Sequence, residues 1–198
     1  MARFGALPCT AMRSPIRAKN FRPRFWPAYA GGALALLFAR PDAGSLLAGL
    51  PLLCLGVAVR SWAAGHLVKT ELFVCSGPYA RVRHPFYLGT FLIGTGFGVM
   101  LGGWGGVAVL AVFMAWFFFS YFPRKERVEA ERLVGRYGEV YARYRDAVPP
   151  LLPALRPWPE ADAGEWRAER WRDNNELGTV LACAIGLAIV LGWMLIRG

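Results

Sequence analysis

The sequence predicts an all-α fold, a polytopic membrane helix bundle of about five transmembrane helices. Three observations carry that prediction. Of the 198 residues, 56% are hydrophobic and only 18% charged, with a mean hydropathy of +0.34. Soluble domains sit near 45–50% apolar and about 25% charged. The uncharged residues also fall in runs long enough to cross a bilayer, and the basic residues gather between those runs. An ordinary soluble globule, a disordered chain and a disulfide scaffold are all excluded.

The last expected span, 177–196, is 20 residues without a charge, enough to cross the roughly 30 Å hydrocarbon core as a helix. Residues 86–122 form an uncharged run of 37, too long for one crossing. Its middle reads Gly102-Gly103-Trp104-Gly105-Gly106, and glycine costs about 1 kcal/mol relative to alanine inside a helix. Two spans, 86–101 and 104–122, joined by a tight turn, are therefore expected. Upstream, 25–39 and 43–65 flank the turn-forming Arg40-Pro41-Asp42. The second of these carries Arg60, whose long side chain is expected to snorkel toward the interface. The expected organisation is a basic arm over 1–24, then one membrane-embedded domain over 25–198 with polar segments at 66–89 and 123–153.

Orientation follows from the cations. Six basic residues and no acid precede residue 25, three more (Lys69, Arg81, Arg83) precede the third span, and eleven lie over 124–172. Only Arg40 and Arg197 fall on the other side. The positive-inside rule then places the N-terminus and both polar segments in the cytoplasm. The net charge of +10 does not argue for nucleic acid. It comes mostly from the arm, because eleven acids balance the eleven basic residues of 122–176. Cations beside a span favour anionic lipid headgroups. The arm lacks the apolar core of a signal peptide, and Met12 is an alternative start. Cys9, Cys54, Cys75 and Cys183 show no paired spacing, and the chain has only His66 and His84. Neither a disulfide framework nor a metal site is expected.

Two segments can hold chemistry. In the first, Gly77-Pro78 marks a turn and Pro85 suits the first helical position. That places Arg83 and His84 beside a helix N-terminus, where free N–H groups favour an anionic or polar ligand group. A purely anchoring role for Arg81, Arg83, Tyr79 and Tyr87 at the interface is the plainer reading. In the second, Leu133, Tyr137, Val140, Tyr141 and Tyr144 form one helical stripe. Glu126 and Glu129 project onto its side, whereas Glu131 points nearly opposite. A carboxylate on that stripe needs a partner or ligand, since burying it alone is costly. The plainer alternative is a solvated helix laced with pairs such as Glu129–Arg132. Gly135 and Gly138 suggest a bend. Gly94-Thr95-Gly96-Phe97-Gly98 mimics a nucleotide-fold glycine loop, but without a preceding strand it reads as helix packing. Trp158, Trp166 and Trp171 read as an interfacial segment.

The run Gly77-Pro78-Tyr79, Arg83-His84-Pro85, Tyr87 and Gly89 resembles the signature of the isoprenylcysteine carboxyl methyltransferase and phospholipid methyltransferase superfamily. Glu129, Leu133, Tyr137-Gly138, Tyr141, Tyr144 and Val148-Pro149 are similar to its second motif, and together the two cover roughly 60–153. The resemblance implies a small membrane enzyme that binds S-adenosyl-L-methionine at the cytoplasmic face and takes a lipid or apolar acceptor from the bilayer. It implies that Val74, Gly77, Tyr79, His84, Pro85, Tyr87 and Gly89 bind the cofactor. Glu129 and Glu131 would be the family's acidic pair, and Arg83 would hold an anionic acceptor or the cofactor carboxylate. A bacterial inner membrane is the expected location. The family usually has adjacent glutamates, where this chain has Glu129-Ala130-Glu131. Its isoprenylcysteine members usually have histidine where this chain has Glu71, and the shortest members lack the span beyond 176.

Within that superfamily a lipid or prenylcysteine-type carboxylate ranks ahead of a phosphatidylethanolamine-type amine, and both ahead of a small thiol. A sterol-reductase-type NADPH enzyme shares the Arg-His-Pro element, but this chain has Phe86 and Thr90 where those enzymes carry asparagine and an acid. A non-catalytic membrane protein is the remaining alternative.

Overall fold

Helix formation follows the apolar runs, with glycine and proline setting the joints. The computed structural model describes residues 37–68 and 73–197. The basic arm, all but the end of the expected 25–39 span, Lys69 and Glu71 lie outside the described residues. Helix α1 is Ala43–His66. Asp42 and Ser45 cap it reciprocally, Ser45 N–H donating to Asp42 Oδ1 at 2.8 Å and Asp42 N–H to Ser45 Oγ at 3.0 Å. Helix α2 is Pro85–Met100, and α3 begins at Gly103 after a two-residue turn. That turn needs glycine, because Gly102 and Gly103 take φ of 56° and 54°. It is the tight hairpin expected from the glycine run.

Helix α3, Gly103–Trp116, does not end before the polar segment. It passes through a π turn, Phe117–Tyr121, straight into α4, Phe122–Ala147. The expected span 104–122 and the helix after it are therefore two parts of one rod. Gly138, at φ 52° and ψ −126°, breaks α4 at the expected bend. A short α5, Ala168–Asp173, leads through Asn175, at φ 61°, into α6, Glu176–Arg197. Every regular element among the described residues is helical.

Helices α1, α6 and the rod are long and apolar enough to cross a membrane, and the chain is an integral membrane protein. Helix α2 has 16 residues, about 24 Å at 1.5 Å each, so it is shorter than the 30 Å core. Its packing against α1 explains how it is held. A Cβ on Gly56 would sit 2.8 Å from the Gly89 carbonyl oxygen, and one on Gly96 would sit 2.8 Å from the Leu53 nitrogen. The two backbones touch through glycines, as close membrane helices do.

Arg60 is held by an ion pair and a hydroxyl. Its Nη2 and Nε donate to the Glu176 carboxylate at 2.6 and 3.2 Å, and Nη1 donates to Thr90 Oγ1 at 2.7 Å. Its acidic partner lies 116 residues away in the chain. Trp158 leaves the expected interfacial role and is buried against Tyr144 and Phe73.

Gly56→Val should lower stability by about 1–3 kcal/mol through overpacking, read as a lower melting temperature in nanodiscs. Gly192→Ala, where nothing lies within 4 Å, should leave it nearly unchanged.

Candidate functional site

The site begins with a backbone device. Gly77 opens a 3₁₀ turn, Gly77–Ala80, at φ 58°, and a side chain there would strike the His66 ring. The chain then runs beside residues 149–158 without regular structure. Arg83 N–H donates to Pro149 O at 2.9 Å and His84 N–H to Pro150 O at 3.1 Å. Ala154 and Trp158 return N–H bonds to Arg81 O and Ala80 O at 2.8 and 2.7 Å. Prolines have no N–H to give, so Pro149 and Pro150 act only as acceptors. This pairing fixes the backbone of Arg83 and His84, and Pro85 starts α2 at once. Tyr87 follows one turn on.

Helix α4 brings the acids. Glu126 pairs with Arg83 Nη2 at 3.1 Å. Glu129 Oε2 lies 3.3 Å from His84 Nδ1, and its Oε1 accepts a short hydrogen bond from the Tyr87 hydroxyl. The His84 and Tyr87 rings stack at 5.2 Å. A carboxylate can only accept, so this geometry puts the neutral-ring proton of His84 on Nδ1 and leaves Nε2 free for another partner.

Arg83, His84, Tyr87 and Glu129 line a cavity of about 470 Å³. Arg83 Nε and Nη1, His84 Nε2 and the Tyr79 hydroxyl are buried there without a hydrogen-bond partner among the described residues. Four orphaned polar atoms on one wall are a large desolvation cost unless a ligand meets them. An aromatic cluster lines the cavity beside them. Phe73 is packed among Tyr137, Tyr141 and Tyr144 at centroid distances of 5.7, 5.7 and 4.8 Å, and the Tyr144 hydroxyl donates to Tyr79 O at 2.7 Å. Burial, chiefly, holds the Tyr79 phenol well above its ordinary range, so it stays a neutral donor.

Of the residues singled out in the sequence, Val74, Tyr79, Arg83, His84, Pro85, Tyr87 and Glu129 line this cavity. Gly77, Gly89 and Glu131 do not. Gly77 lies under His66, Gly89 makes the α1–α2 contact, and Glu131 is exposed on the far face of α4. The anticipated Glu129–Arg132 pair is replaced by Glu129 with His84 and Tyr87. Sequence reasoning missed Tyr121, Arg132, Arg136 and Asn174 in the lining, and the Arg60–Glu176 pair. For the pair a signal existed, since Arg60 is a lone charge inside an apolar run and Glu176 abuts another.

A second cavity, of about 390 Å³, lies between α2 and α6 and is lined by Thr90, Ile93, Phe97, Thr179 and Ala182. Arg60 borders both cavities. No group of three or more His, Cys, Asp or Glu among the described residues could hold a metal ion.

This chain is similar to a protein-S-isoprenylcysteine O-methyltransferase of Schizosaccharomyces pombe. The two are 36% identical over 118 residues, covering 54% of this chain and 48% of that protein. The chain thus spans about half the length of the relative it matches. No family model matches the chain, and no solved structure matches it significantly.

Burial raises the Glu129 carboxyl, but its hydrogen bonds from His84 and Tyr87 outweigh this and hold it below its ordinary value of 4.5. A group depressed in the folded state stabilises above its unfolded value, and that contribution is lost as pH falls through the folded value. Glu129→Gln should therefore lower the melting temperature at neutral pH. The gap to wild type should close as pH is taken below 4.5. A gap that widened on acidification would contradict this assignment.

Proposed function

We propose that the protein is a membrane methyltransferase that uses S-adenosyl-L-methionine to methylate a lipid-like or isoprenoid acceptor, with a prenylcysteine-type carboxylate as the leading candidate. The observation that carries the reading is the set of unpartnered buried atoms of Tyr79, Arg83 and His84 converging on one aromatic-walled cavity. The similarity to the S. pombe methyltransferase supports it. So does size, since cofactor pockets fall at roughly 300–1,000 Å³.

The residues present fit the cofactor. Arg83 offers two free nitrogen donors, Nε and Nη1, to its carboxylate, as charge-assisted bonds favour. The face of Tyr87 and the Glu129 carboxylate suit a cationic group, and Phe73 with Tyr137 and Tyr141 suits an adenine ring. When bound, the cofactor supplies an electrophilic methyl group on a sulfonium. The protein's task is then alignment and exclusion of water. Arg83 and His84, fixed by the 149–158 backbone, hold; the aromatic wall excludes.

The acids bear on acceptor choice. A carboxylate or thiolate arrives as a nucleophile, whereas an ammonium must first lose a proton. Glu129 is already committed to His84 and Tyr87 and held below the ordinary carboxylate range, which makes it a poor base. Arg132 and Arg136 add positive charge to the same wall. Both features favour an anionic acceptor. The groove between α2 and α6, bordered by Arg60, is the acceptor's route from the bilayer. By the distribution of basic residues the pocket opens on the cytoplasmic side, of a bacterial inner membrane in our reading, beside anionic headgroups.

Calorimetric titration of the nanodisc protein with S-adenosylmethionine, and with NADPH in parallel, tests this. We expect binding of the first alone, weakened about tenfold or more, or 1.4 kcal/mol, in His84→Ala. Turnover should fall far more in Glu129→Ala than in Glu126→Ala. Binding of NADPH alone would move the chain to the reductases, and binding of neither would remove the cofactor reading.

A further inference from the structure

The rod that carries Glu129 is not a continuous α-helix. At its π turn the Phe122 N–H bonds to Phe117 O, five residues back rather than four. The cause lies in the sequence. Pro123 has no N–H, and in an unbroken α-helix its ring would press on the carbonyl of Phe119, four residues earlier. Widening the preceding turn relieves that clash. A π turn accommodates one residue more than the α ladder around it, and such turns recur at functional sites.

The stored residue decides which face of α4 meets the cavity. Each residue turns an α-helix by about 100°. Without the π turn, every side chain beyond it would be turned on by that angle relative to α3. Lys125 and Val128 would then point where Glu126 and Glu129 point now. A lysine would face Arg83, with like-charge repulsion, and a valine would offer no acceptor to His84 or Tyr87. Helix α3 cannot turn to compensate. A Cβ on Gly106 would lie 2.8 Å from the Gly98 carbonyl oxygen, and Phe113 and Leu110 close directly over Gly94 and Gly98. The link from α2 is only Leu101-Gly102.

We propose that this π turn is the register device that aims the Glu126–Glu129 face of α4 at the Arg83–His84–Tyr87 side of the cavity, with Pro123 as its positioning residue. The register stands on geometry alone, while its consequence for cofactor affinity rests on the methyltransferase reading above.

The test uses the full chain in nanodiscs. Deleting Pro123 removes both the stored residue and the ring, so the rod becomes a plain α-helix with its two halves still in native register. S-adenosylmethionine affinity should stay within about threefold of wild type. Deleting Lys125 as well turns α4 by about 100°, and affinity should fall at least about tenfold. A second readout needs no ligand. Ala130→Cys and Glu131→Cys are introduced separately into each background, treated with a water-soluble maleimide, and scored by peptide mass. Ala130 is 9% exposed and Glu131 is exposed, so in wild type and the single deletion only the thiol at 131 should react. In the double deletion that thiol takes the buried place of Ala130 and should be protected. The proposal is overturned if the single deletion alters labelling as the double does, or if the double deletion leaves it unchanged. If wild type binds no cofactor, the methyltransferase reading falls, and the labelling still decides the register.

Discussion

Everything proposed for this protein depends on one cross-connection, in which the first turn of α2 and the start of α4 exchange charge and hydrogen bonds. Arg83 meets Glu126, and His84 with Tyr87 meets Glu129. The two acids are three residues apart on one helix and so share a face. The three partners fall within five residues because an irregular segment, pinned to the 149–158 backbone, gives way to a helix at Pro85. The connection leaves Arg83 and His84 half-satisfied, each with nitrogen atoms still free inside the cavity. A purely structural cluster would close such a network, since partly paired buried groups are the costly case. That residual demand is what points to a ligand.

A second constraint comes from a buried ion pair between helices. Glu176 is 1% exposed and paired with Arg60 in fork geometry. Buried ion pairs return little net stability against a hydrophobic replacement, but removing one partner is strongly destabilising. This pair stands where α1, α2 and α6 meet, at the border of both cavities. The N-terminus of α6 favours the carboxylate through its helix dipole. Asn174, two residues earlier, caps α1 by donating to Ala64 O and Leu67 O at 3.0 Å. The last helix is thus tied to the floor of the site rather than appended to the bundle.

The parts legible in the sequence were those written in local pattern. The apolar runs gave the helices, the glycine run gave the α2–α3 turn, and helical periodicity placed Glu126, Glu129 and the tyrosines on one side. Arg83 and His84 could be placed beside a helix start from Pro85 alone. The rest depends on distance in sequence or on departures from regular periodicity. No local pattern joins Arg60 to Glu176, 116 residues on, or sets Trp158 beneath Tyr144. The π turn is invisible to a count of 100° per residue, and the charges from Arg124 onward hid the continuity of the rod. Gly77 and Gly89 stood out as motif residues, yet Gly77 serves a positive-φ turn under the His66 ring and Gly89 the close α1–α2 contact. A motif marks what the fold needs near a site as well as what touches a ligand.

The measurement that bears most directly on the account is ultraviolet crosslinking of methyl-labelled S-adenosylmethionine to the protein in nanodiscs, followed by peptide mapping. The account predicts label confined to peptides carrying residues 73–87 and 129–144, competed away by unlabelled cofactor and reduced in His84→Ala. Label on α6 or on the exposed Glu131 face, or label indifferent to His84, would contradict it.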